Sequence, residues 1–114
     1  MEADLEDLID HLVDHLCAEQ AETVAELPDA EIRRRAALAL RRAESHGFTE
    51  PRAMTAFATL MFIVAPDFDA QPKIAAALQA KGRDDERMRL LFARTSEEDW
   101  DEAGEKSKGW PGLG

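Results

Sequence analysis

Apolar residues recur at helical spacing almost from the start of the chain. Leu5, Leu8, Ile9, Leu12, Leu16, Thr23 and Leu27 fall on one stripe with a 3.6-residue period, and Asp7, Asp10 and Asp14 lie opposite. That pattern predicts a helix over residues 3–26. Pro28 interrupts it and, with Asp29, opens a second helix over 29–46 whose inward stripe is Ile32, Ala36, Ala39, Leu40 and Ala43. The small side chains on this stripe imply close approach of a neighbouring helix. His46-Gly47 is a stop signal, because glycine tolerates the left-handed conformation that follows a last helical turn. Thr49 then reads as an N-cap and Pro51 as a first-turn residue of a third helix ending near residue 64.

The third helix is apolar almost all the way round, with Phe57, Leu60, Met61 and Val64 facing one way and Phe62 and Ile63 facing others. Such a helix is either central to the core or covered by a partner. Ala65-Pro66 ends it. Asp67-Phe68-Asp69 makes a turn in which Asp67 or Asp69 caps a fourth helix over 71–81, stopped by Gly82. A fifth helix over 84–94 directs Met88, Leu91 and Phe92 inward. Ser96 and Asp99 form a capping box for a short last turn around Trp100. No stretch alternates as a strand would. The expected fold is therefore all-α, a compact bundle of about five helices, with residues 1–103 as a single domain and 104–114 as a flexible tail unless Trp110 docks.

Composition narrows the function. The chain has 114 residues, 24 acidic against 14 basic, for a net charge of -10, which disfavours nucleic acid as a partner. The longest apolar run, residues 53–65, falls short of the roughly 20 residues a membrane span needs. The acidic N-terminus is unlike a signal peptide, and the single cysteine, Cys17, fits a reducing compartment, so a cytoplasmic location is expected. Residues 1–31 hold eleven acidic side chains and no Lys or Arg, whereas residues 32–54 hold six arginines. Antiparallel packing would let the two helices exchange surface ion pairs; alternatively, the acidic face steers a basic partner.

Catalytic chemistry finds little support. Cys17 sits among acids, which raise a thiol pKa, and no serine lies in a nucleophile elbow. Glycine-rich phosphate loops are absent from the sequence. Neither a catalytic site nor a cofactor is expected. Asp7, His11 and His15 at i, i+4 and i+8 could line a helix with metal ligands, but with no HExxH motif and no second cysteine a metal site is a minor alternative.

The segment LMFIVAPDFDAQP, residues 60–72, is the most distinctive string. Either Phe68 tucks between helices, or Phe62, Ile63 and Phe68 with Asp67 and Asp69 at the rim form a partner-binding edge, an aromatic anchor ringed by charge. Together with Arg41-Arg42-Ala43-Glu44-Ser45-His46-Gly47-Phe48-Thr49, the segments Leu60-Met61-Phe62 and Pro66-Asp67-Phe68-Asp69 resemble a group of small helical bacterial proteins encoded beside type VI secretion spike and PAAR-type cargo genes. The resemblance covers about residues 30–75. It implies an accessory, adaptor or chaperone that holds an effector or spike component before delivery. An immunity protein that blocks a basic toxin site with the acidic first helix is the alternative. A homodimer is compatible with either.

Overall fold

The computed structural model describes residues 3–110, with side chains from Leu5 onward. Seven helices form among them: α1 Ala3–Glu19, α2 Ala21–Val24, α3 Asp29–Ser45, α4 Pro51–Ile63, α5 Pro72–Leu78, α6 Asp84–Ala93 and α7 Glu97–Glu105, with a 3-10 turn at Phe68–Ala70 between α4 and α5. No strand occurs in the described residues. The chain is all-α, with more and shorter helices than the sequence pattern predicts.

The expected first helix divides at Gln20, whose φ of -128° and ψ of 41° leave the helical region. Its amide still bonds to the Leu16 carbonyl at 2.8 Å, so α1 is closed before the chain turns. The break resets the helical phase. Val24 is buried where an unbroken helix would have sent Thr23 inward, and Thr23 is exposed.

α3 follows its pattern closely. Ile32, Ala36, Ala39, Leu40 and Ala43 are all buried, and the alanines allow α4 and α1 to pack close against it. Arg33 reaches Asp10 and Glu6 on α1, so part of the charge asymmetry is an inter-helix exchange. The end of α3 is a Schellman motif: Gly47 N–H donates to the Glu44 carbonyl and Phe48 N–H to the Ala43 carbonyl. Gly47 adopts φ +89°, and Phe48 is delivered fully buried into the core.

α4 begins without a side-chain cap of its own. Thr49, the expected N-cap, is instead a donor: its amide and that of Glu50 both bond at 2.8 Å to Asp84 Oδ2 on α6. A buried carboxylate from a distant helix thus serves the start of α4, where the helix dipole also favours negative charge. α5 is capped by Gln71, whose side chain accepts from Ile74 N–H at 2.8 Å; neither Asp67 nor Asp69 does this. α7 carries the expected capping box of Ser96 and Asp99 and continues through Gly104 to Glu105, two residues into the segment expected to be tail.

The core is organised around aromatic rings. Phe48, Phe57 and Phe68 are fully buried, with centroids 5.8 Å apart for the first pair and 4.9 Å for the second. Phe68 stacks on Trp100, and Trp100 on Phe92, each at 5.5 Å. The row ends at the surface, because Phe92 is about half exposed and not directed inward as its position in α6 predicts. Leu91 is the buried residue of that face, with Met88 half-buried. No helix among the described residues is long and apolar enough to cross a membrane.

Candidate functional site

Five residues of the loop after α4 and its approach are candidate partner contacts, and the structure sorts them into two groups. Phe68 and Asp69 turn inward. Phe68 is fully buried between Phe57 and Trp100, so it is a core residue and not a docking anchor. Asp69 is not at a rim either: its side chain is 2% exposed and accepts hydrogen bonds from Arg42 Nε at 2.7 Å, Arg42 Nη2 at 2.8 Å and His46 Nε2 at 2.6 Å. The 3-10 turn folds the loop back under the end of α3, where Asp69 meets both partners.

Arg42 in the last turn of α3 and His46 just after it stand four residues apart, so both side chains lie on one face and converge on one carboxylate. Burial by itself would raise the Asp69 pKa, but the hydrogen bonds from His46 and Arg42 together hold it below the usual carboxylate range. An Asp–His pair of this length resembles part of a catalytic relay. No nucleophile completes it among the described residues. The neighbouring hydroxyl, Ser45 Oγ, donates to the Arg42 carbonyl, and the imidazole ring lies against Phe57. The cluster's chemistry is that of a clamp joining α3 to the loop after α4.

Ile63 remains outward, and Phe62 and Asp67 are half-buried. Ile63 is 47% exposed at the last position of α4. Phe62 is half-buried, and the ring covering it belongs to Trp110, 4.9 Å away. Trp110 also lies under the guanidinium of Arg35, 5.3 Å from its centroid. Asp67 Oδ2 accepts from the amide of Lys108 at 2.9 Å. Residues 106–110 of the expected tail therefore run back across the end of α4. The last four residues, 111–114, lie outside those described.

A cleft of about 190 Å³ opens beside this segment, lined by Asp67, Ala70, Gln71, Pro72, Glu102, Ala103 and Lys106. Gln71 crosses its floor, donating to Glu102 at 2.9 Å. Asp67 Oδ1 is buried there with no hydrogen-bond partner among the described residues.

The helix α1 candidates do not converge. Among the described residues no three His, Cys, Asp or Glu side chains are grouped as a metal ion would require, so Asp7, His11 and His15 do not form a site in this conformation. The face they occupy is exposed and acidic, with Asp7, Asp10 and Asp14 all open to solvent.

Three buried polar residues carry roles that sequence patterning does not reveal. They are Asp84, Gln71 and Arg87, each bonded to main chain far away or to a neighbouring helix. For the Asp69 clamp, by contrast, the i, i+4 spacing of Arg42 and His46 beside an acidic loop is a signal the sequence carries. No protein-family model, curated protein or solved structure matches the chain.

Proposed function

We propose that the chain is a non-enzymatic protein-binding domain, an accessory or chaperone that holds a secreted bacterial effector or its spike component before delivery. The observation that carries this is the outward end of α4. Ile63 is left 47% exposed at the last position of α4, and its chain neighbour Phe62 is covered by Trp110 of the C-terminal segment. An exposed aliphatic residue next to an aromatic one, with Asp67 at its edge, is a usual core-and-rim arrangement for a protein contact. The resemblance of residues 30–75 to proteins encoded beside type VI secretion cargo supplies the class of partner.

The test is capture from native lysate with wild-type protein and with Ile63→Glu, followed by mass spectrometry and light scattering. A stoichiometric effector or spike protein held by the wild type and lost from Ile63→Glu is the expected result. Capture unaffected by Ile63→Glu, or elution of a homodimer alone, would sink the proposal.

A second reading rests on α1. The side chains of Glu6 and Asp10 are 75% and 61% exposed even while facing Arg33, and Asp7 and Asp14 are exposed with them. An immunity protein would use such a face against a basic toxin surface, with electrostatics raising the encounter rate. Reversing Asp7 and Asp14 to lysine leaves the Arg33 contacts in place. Loss of protection with folding intact would favour immunity; unchanged protection would exclude it.

A further inference from the structure

The ring that covers Phe62 is held by three weak, separable contacts, and their arrangement specifies what fits there. Trp110 is placed by Gly109, whose φ of +84° only glycine adopts readily, so the chain turns back onto α4. One residue earlier, the Lys108 amide meets Asp67 Oδ2. At the end, the indole packs against Phe62 and faces Arg35, whose guanidinium favours the electron-rich face of an aromatic ring over an aliphatic side chain. The seat thus reads three features in order: a free backbone N–H, a glycine in the left-handed region and an aromatic ring. A basic flank is matched by α7, where Glu102 pairs with Lys106 of the occupying segment at 3.1 Å.

We propose that this seat on α3 and α4 is a receptor for an aromatic residue on an extended, glycine-flanked and basic segment of a partner protein, and that residues 106–110 are a releasable strap occupying it in the resting chain. The inference rests on the protein-binding function proposed for the end of α4 and adds its ligand chemistry and its built-in competitor. A tether this short holds Trp110 near its seat at an effective concentration of order millimolar, enough to exclude weak ligands but not a partner with further contacts. Release would uncover Phe62 next to Ile63 and enlarge the apolar surface at one stroke.

The experiment uses the full chain and needs no partner. A synthetic peptide of residues 104–114, GEKSKGWPGLG, is titrated into isotope-labelled wild type and Trp110→Ala, with amide and arginine side-chain shifts followed by NMR. In Trp110→Ala the peptide is expected to shift Arg35, Phe62 and Asp67, saturating at millimolar concentration. Wild type, whose own ring fills the seat, is expected to bind at least about fivefold more weakly. A peptide with leucine for tryptophan should lose about fivefold or more in Trp110→Ala, as the cation–π and ring contacts are removed. No shifts at these residues in Trp110→Ala, or equal affinity for both proteins, overturns the strap. Equal binding of the leucine peptide overturns the aromatic specificity. A wild-type dimer that dissociates on Trp110→Ala would seat a second copy's tail and overturn the intramolecular arrangement. None of these outcomes depends on lysate capture, so failure here and failure of the Ile63→Glu test remain separate.

Discussion

The guanidinium of Arg87 donates to the carbonyl of His46 at 2.7 Å, so a side chain of α6 closes the end of α3. The same Nη2 donates to the Leu78 carbonyl at 2.9 Å, at the end of α5, and the guanidinium lies 4.2 Å over the Phe48 ring. A single buried cation therefore sits between the carbonyl ends of two helices, where both dipoles favour positive charge. No carboxylate lies within ion-pair distance of it among the described residues.

Arg87→Met is expected to destabilise the chain by about 2 kcal/mol. Methionine keeps much of the packed stem but leaves two buried carbonyls without their donor, and unsatisfied groups cost about 1–3 kcal/mol. Urea unfolding should show a lower midpoint with an unchanged slope. A midpoint equal to wild type would mean that water replaces the guanidinium at both carbonyls.

Phe68 and Ile63 should separate cleanly, although both belong to one distinctive sequence segment. Phe68→Ala removes a fully buried ring and is expected to cost about 3–5 kcal/mol. Ile63→Glu changes a half-exposed helix end and should shift stability by no more than about 0.5 kcal/mol. Thermal and urea unfolding of the two variants checks the contrast. A large loss in Ile63→Glu would place that residue in the core and remove it from any binding surface.

These contrasts show which parts of the structure the sequence made legible. The five buried positions of α3 follow from periodicity bounded by Pro28 and Gly47, because both punctuation and pattern are local. The division at Gln20 left no such mark, as glutamine is a good helix former and the break serves Val24, four residues on. Arg87 lies in the run DDERMR, which reads as a solvated face; its partners are main-chain carbonyls that no residue pattern encodes. For the same reason Asp84, rather than Thr49, emerges at the start of α4. The candidate site was legible only in part: Ile63 is exposed and Phe62 and Asp67 are half-buried, whereas Phe68 and Asp69 turn inward to partners distant in sequence, Trp100 for the ring and Arg42 and His46 for the carboxylate.

Acid should weaken the fold through carboxylates held below their ordinary range, Glu31, Asp69, Asp99 and Glu102 among them, and the first two test it. The hydrogen bonds of Arg34 and Arg35 lower Glu31 from 4.5 to about 2, and Asp69 is also held below its ordinary value of 3.8. For groups depressed in the folded state, the stabilisation is full above the unfolded pKa and disappears as pH falls through the folded one. Loss is therefore expected from about pH 4.5 downward, reaching about 2 for Glu31. Asp69→Asn and Glu31→Gln should each flatten the dependence of unfolding free energy on pH in this range. An unchanged slope in either variant would show that its carboxylate titrates alike in both states.

Two glycines should respond to alanine with opposite sign. At Gly47 the backbone is in the left-handed region, so a Cβ is strained whatever the available space, and its nearest neighbour would be Arg87 Nη1 at 3.4 Å. Gly47→Ala is expected to cost about 1–2 kcal/mol and to loosen the Arg87 clamp as well, because that guanidinium is bonded to the adjacent His46 carbonyl. Gly104 lies within α7 with an ordinary helical backbone, and a Cβ there would meet the Val64 carbonyl at 3.6 Å, a normal van der Waals contact. Alanine there recovers helix propensity without a clash, so Gly104→Ala should stabilise by about 0.5–1 kcal/mol. The comparison also reports on the strap, since residues 106–110 leave from the end of α7. A stabilised Gly104→Ala with Trp110 still shielded from acrylamide quenching, measured in a Trp100→Phe background, would show that the strap seats independently of flexibility at Gly104. Exposure of Trp110 in that variant would mean that α7 must bend at Gly104 to reach Phe62.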